Sequence, residues 1–145
     1  MAYMCFDCYE VYDDSIKDLQ KEWMDHPRCP KASCGNNYVV EVDELLLMAV
    51  KILNQKGYIT ENCCSGHTYE SSPNSYIMFN DEVELPSLPK GYKDDLDIHP
   101  HTFKEKTNCI RKNFIGESEV EIQKEIFESA REVLIWADSL ETLEY

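Results

Sequence analysis

The stretch Val42–His67, VDELLLMAVKILNQKGYITENCCSGH, reads as a helix, a glycine stop and a strand that runs into two adjacent cysteines. Leu45, Met48, Ala49, Ile52 and Leu53 recur at helical spacing, which predicts an amphipathic helix over 44–56. Asp43 stands where it can cap that helix, and Val42 and Leu47 stand where a hydrophobic staple would close its first turn. Gly57 supplies the left-handed residue that ends it. Tyr58–Thr60 then starts a strand, and Ser65–Gly66 reverses the chain.

Downstream, Ser75–Phe79 (SYIMF) reads as the returning strand and Asn108–Phe114 (NCIRKNF) as another. Between them, residues 83–103 hold Pro86, Pro89 and Pro100, a spacing that suits an ordered excursion around a sheet better than regular structure. A long helix follows Gly116. Ser118 and Glu121 form a capping box, and Ile122, Ile126, Ala130, Val133, Ala137 and Leu140 make its core-facing stripe.

Upstream, the cysteines follow a C-x2-C-x20-C-x4-C pattern at Cys5, Cys8, Cys29 and Cys34. Two knuckles about twenty residues apart are what a tetrahedral four-thiolate zinc site requires, since each turn aims two sulfurs at one ion. Four protein ligands leave no open position, so such a zinc is structural. An iron centre is the alternative that four thiolates allow. His26 near Cys29 reads as a surface residue, and Ile16, Leu19 and Trp23 predict a short helix between the knuckles. Tyr38–Val42 is β-rich. The fold class is therefore α+β: a zinc-ribbon-like head over 1–37, then a body over 38–145 with a small antiparallel or mixed sheet packed by two main helices.

The charge is −14, from 28 acids and 14 bases, over 145 residues that are 43% hydrophobic. Only residues 90–113 carry a basic excess. This balance disfavours nucleic acid as a partner unless residues 90–112 gather Lys90, Lys93, Lys104, Lys106, Arg111 and Lys112 on one face. No apolar run reaches membrane-spanning length, and the opening MAYMCFDCYE lacks a basic region followed by an apolar one. The expectation is a cytoplasmic protein with no membrane partner. Seven cysteines, an odd number, argue for metal or reactive thiols rather than a disulfide framework.

Three readings compete for TENCCSGH, residues 60–67. Ser65–Gly66 is a turn and the cysteines pack beside it. Alternatively, Cys63 or Cys64 is a nucleophile with His67 as its base, Cys64 being the candidate of the two. Or the loop binds a metal or another ligand, with Cys63, Cys64, His67, His99, His101 and Cys109 converging. Thr60, Cys63, Ser65, His99 and His101 are then the candidate ligand-binding residues.

Leu53, Asn54, Thr60, Cys64, Ser65 and Gly66 match by position the core of the tRNA wybutosine methyltransferase family, which the stretch resembles over about 25 residues. His67 stands where that family has arginine, and Cys63 where it has serine. The resemblance implies a shared helix–strand–loop architecture. Over most of its length the chain also resembles small zinc-ribbon proteins of low-GC Gram-positive bacteria and their phages, which have a "GY-T-CCSGH…YI-F" body. That likeness implies a zinc-ribbon head and no defined activity. The leading functional reading is a zinc-stabilised binding module that recognises a protein or small ligand through Cys63–His67. One alternative is a transferase or thiol-dependent enzyme centred on Cys64 and His67. Another is an acidic phage or mobile-element inhibitor of a nucleic-acid-binding host defence protein.

Overall fold

The computed structural model describes residues 2–5, 8–13, 29–31, 34, 39–69, 71–95 and 108–143. The predicted helix around Ile16–Trp23 and the residues His26, His99 and His101 lie outside the described residues. The described elements are β1 (Ala2–Cys5), β2 (Val11–Tyr12), β3 (Val39–Val42), α1 (Leu47–Gln55), β4 (Thr60–Cys64), β5 (Asn74–Phe79), β6 (Lys93–Asp94), β7 (Cys109–Asn113) and α2 (Glu119–Ser139). They form a three-stranded sheet of order β2-β1-β3 and a four-stranded sheet of order β4-β5-β7-β6. Every strand pairing among the described residues is antiparallel, so the fold is α+β with a cysteine-bearing N-terminal head.

The first helix forms where the spacing places it, but its buried face differs by one residue. Leu46, Ala49, Val50, Leu53 and Asn54 point inward, a spacing of i, i+3, i+4, i+7 and i+8. Leu45 and Met48, expected in the core, are 40% and 54% exposed. The unbroken apolar run Leu45–Val50 offers two overlapping faces, and periodicity alone cannot choose between them. Asp43 does not cap the helix either. The cap position is Leu46, which makes no side-chain cap bond, and Asp43, three residues ahead of it, accepts from the Leu45 N–H and from Ser65.

Gly57 ends α1 as expected, with φ +97°. The Tyr58 N–H donates to the Leu53 carbonyl and the Gly57 N–H to that of Asn54, the paired bonds of a glycine helix stop. That exit occupies Tyr58, so the strand begins at Thr60 rather than at Tyr58. It extends through Cys64, and both adjacent cysteines are strand residues instead of turn residues. Asn54 fixes the junction: its amide nitrogen donates to Thr60 Oγ1 (3.0 Å) and its oxygen accepts from the Thr60 N–H (3.2 Å).

The second helix matches its expected stripe. Ser118 Oγ accepts from the Glu121 N–H at 3.1 Å. The return arm of the expected box lands one residue early, where the Glu121 carboxylate accepts from Glu117 N–H. Ile126, Ala130, Val133, Ala137 and Leu140 are buried, and Ser129 and Trp136 join them. Trp136 meets Phe79 edge-on and donates its indole N–H to Ser87 Oγ. Both helices pack on one face of the four-stranded sheet, against Ile77, Phe79 and Ile110. Lys56, just past α1, donates to the carbonyls of Ala137, Asp138 and Leu140 at the end of α2, where the helix dipole favours a cation. Met4 of β1 and Val42 of β3 are buried in the same cluster, so the head is seated on the body core.

Candidate functional site

In the head, β1 delivers Cys5 at its C-terminal end. The chain then turns tightly, with the Tyr9 N–H donating to the Cys5 carbonyl and Tyr9 itself in the left-handed region at φ +62°. The second knuckle closes through Cys34 N–H to the Lys31 carbonyl, so the longer x4 spacing still makes a turn. Lys31 also pairs with Glu10 across the two knuckles, an exposed contact of little energetic weight.

The four thiol sulfurs of Cys5, Cys8, Cys29 and Cys34 all lie within 4.8 Å of one another. Cys5 and Cys34 approach to 3.4 Å, and Cys8 and Cys29 to 3.6 Å. A tetrahedral zinc with Zn–S bonds of about 2.3 Å needs sulfurs roughly 3.8 Å apart, so the donor set fits a metal ion in size and chemistry. All four are free thiols, with Cys5 and Cys29 buried. The Tyr12 hydroxyl lies 3.2 Å from Cys29 Sγ. Burial pushes the Cys29 thiol up, but hydrogen bonds from Tyr12, the Lys31 backbone and the neighbouring cysteines outweigh it and bring Cys29 to about 7. Cys34 moves the other way: its bond with Cys5, then desolvation, raise it well above the ordinary thiol range.

On the body, the geometry of β4 separates the two adjacent cysteines. Thr60 lies opposite Phe79 and Asn62 opposite Met78, so one extra residue is inserted between Thr60 and Asn62. Such a bulge reverses the side-chain alternation beyond it. Cys63 therefore faces inward opposite Ile77, packed against the core, while Cys64 faces outward opposite Tyr76. Burial pushes the Cys63 thiol up to about 11 and outweighs a hydrogen bond with the Asp43 backbone that works the other way, so it stays protonated at neutral pH.

Cys64 Sγ lies 3.6 Å from His67 Nε2, and the His67 ring stacks on Tyr69. Gly66 makes the approach possible. It has φ +108°, and a Cβ there would lie 2.7 Å from the Phe114 ring. The neighbouring positions of the same sheet face carry Tyr76 and Arg111, whose guanidinium carbon sits 4.9 Å over the Tyr76 ring. Arg111 is held by Asp95 (2.8 Å) and by Asn74.

Of the sequence candidates, Cys64 and His67 come together. Thr60 is buried and bonded to Asn54, Ser65 is buried and bonded to Asp43, and Cys63 faces the core. Cys109 is buried, its thiol pushed up to about 11 by burial and by the Asp95 carboxylate. Tyr76 and Asp95 escaped the sequence reading as site residues, and Arg111 and Asp43 entered it only as a surface base and a helix cap. Only strand alternation could have indicated Tyr76 and Arg111, and that requires the cross-strand register. The bases described among residues 90–112 do not gather on one face. Lys90 and Lys112 line a concavity with Arg131 but also with Glu128 and Glu132, whereas Lys93 lies opposite Arg111. No helix among the described residues is long and apolar enough to cross a membrane. Compared with family models, curated proteins and solved structures, the chain matches none, so its residues alone carry the functional reading.

Proposed function

We propose that this chain is a zinc-stabilised binding module that recognises a protein or small ligand at the outer face of its four-stranded sheet, around Cys64 and His67. The observation that carries the reading is the outward Cys64–His67 pair at 3.6 Å, beside an Arg111–Tyr76 platform, while Thr60 and Ser65 are spent on internal bonds. A thiol, an imidazole, two aromatic rings and a fixed guanidinium make a mixed surface, suited to a ligand with both apolar and anionic parts. The head supplies stability and no chemistry, because four cysteine ligands close its coordination sphere.

Two measurements test this. Elemental analysis should find one zinc per chain in the wild type and in the Cys64→Ala/His67→Ala double variant. A small-molecule fragment library screened by amide chemical-shift perturbation should give hits clustered on His67, Tyr69, Tyr76 and Arg111, which the double variant loses. Hits confined to other surfaces would overturn the recognition site, and a zinc-free wild type would overturn the head.

The same 3.6 Å contact favours a second reading, a thiol-dependent transfer reaction in which His67 takes the Cys64 proton and the thiolate attacks. Iodoacetamide should then alkylate Cys64 at a rate that rises as His67 loses its proton. In His67→Gln that step should vanish, and an unchanged pH profile would remove His67 as the base.

A further inference from the structure

We propose that Asp43 is the positioning residue of this site, holding the Ser65–Gly66 turn so that Cys64, and not its neighbour Cys63, is presented to His67. The inference rests on the reading of Cys64 and His67 as the working groups and adds the residue that selects between two chemically identical thiols.

The selection problem is specific to adjacent cysteines. In a strand, a slip of one residue exchanges the two faces. Moving the β4 bulge by a few positions would turn Cys63 outward and Cys64 inward without changing composition. Something beyond the bulge must fix the phase of the strand end. Two bonds do so from within the sheet side: Ser75 Oγ donates to the Cys64 carbonyl at 2.9 Å, and Ser75 is in turn held by the Tyr92 hydroxyl at 2.6 Å. Asp43 does so from outside that sheet. One of its carboxylate oxygens accepts both the Ser65 N–H (2.9 Å) and the Ser65 hydroxyl (2.8 Å), and the other accepts the Leu45 N–H (3.0 Å).

This carboxylate sits between the end of β3 and the start of α1, 22 residues from Ser65 in the chain. It grips the residue immediately after Cys64 by two donors at once, which fixes both backbone direction and side-chain rotamer. Ser65 is 5% exposed, so an unmatched N–H or hydroxyl there would be costly, and the bonds to a charged acceptor belong to the stronger class. A strand end shifted by one residue would bring Gly66 or Cys64 to Asp43, and neither supplies a backbone and a hydroxyl donor together. Nor could a side-chain-bearing residue slide into the place of Gly66, where a built Cβ would lie 2.7 Å from the Phe114 ring and 3.0 Å from the Asn74 carbonyl.

The test is limited iodoacetamide labelling of the full-length metal-loaded chain, with Cys63 and Cys64 distinguished by fragment-ion mass spectrometry across a pH series. Wild type should label Cys64 at least tenfold faster than Cys63, with a His67-dependent pH step. In Asp43→Ala the ratio should fall toward one and the step should disappear. Asp43→Asn keeps one oxygen acceptor and should recover most of the ratio, which separates the hydrogen bonds from the charge. Ser65→Ala removes one of the two donors and should lower the ratio several-fold. It also decides the matter, together with Asp43→Asn, if Asp43→Ala fails to fold. Equal labelling of the two thiols in wild type overturns the proposal, as does an unchanged ratio and pH profile in Ser65→Ala and the Asp43 variants that fold. No ligand enters these measurements, so fragment hits elsewhere on the surface would sink the recognition site while leaving this ratio intact, and the reverse holds equally.

Discussion

Leu46, Leu53, Tyr58, Ile77, Phe79 and Val133 are almost wholly buried in the body, drawn from two helices, a sheet and the segments flanking α1. In the head, the separate buried cluster among the described residues consists of Tyr3, Cys5 and Cys29, with Cys8, Tyr12 and Cys34 against it, so four of its six members are the clustered cysteines. The two regions touch through Met4 and Val42 yet are held by different physics. The body rests on the hydrophobic effect, which scales with apolar area removed from water. Among the described residues the head buries few apolar side chains, and the metal ion proposed for its four thiols would take the place of a larger core. The contrast teaches that metal and core should fail independently.

The sharpest way to break the comparison is to remove the metal. Chelation, or Cys29→Ser, should abolish amide protection in β1 and β2 while β5, β7 and α2 keep theirs. Structural zinc contributes about 10–16 kcal/mol to such small sites. Native-state hydrogen exchange with mass spectrometry reads both regions at once. Collapse of all protection together would show that the head and body are one cooperative unit.

A cut in the body should do the converse. Leu53 has no exposed surface, so Leu53→Ala removes buried methyl groups and leaves a cavity, costing about 2–5 kcal/mol. Thermal denaturation should move to lower temperature while zinc stoichiometry below the transition stays at one. Loss of zinc from the folded variant would contradict the division.

The smallest effect sharpens the head itself. Tyr12→Phe deletes the hydroxyl beside Cys29 Sγ and should weaken zinc about tenfold in a chelator competition, the usual scale for a partner behind a ligand. The sign with pH follows from the same bond. Tyr12 is among the groups that lower the Cys29 thiol, so without it the thiolate binds its proton more tightly and zinc is released at a higher pH. An unchanged release curve would make Tyr12 a packing residue.

Much of this was legible in the chain. Cysteine spacing marked the head cluster, because a knuckle is a local turn and two of them suffice to enclose an ion. Ser118 and the stripe from Ile126 to Leu140 marked α2, because a long helix repeats its signal over many turns. Gly57 marked the helix stop, because only its φ of +97° is needed there. The run Leu45–Val50 announced a helix but not its facing, since six apolar residues in a row are compatible with more than one buried side.

What the sequence determined by itself was local: where turns fall, which segments are helical, and which four thiols are spaced for one ion. The tertiary structure decided the rest. A one-residue bulge in β4 sends Cys63 inward and Cys64 outward, and bulge position depends on the partner strand. The Asp43 carboxylate, expected at a helix cap, accepts two donors from Ser65, 22 residues away, besides the Leu45 N–H just ahead of α1. Arg111 and Tyr76 meet beside Cys64 through cross-strand register alone. Long-range pairings like these are set by the energy of whole packed faces, to which no single stretch of the chain has access.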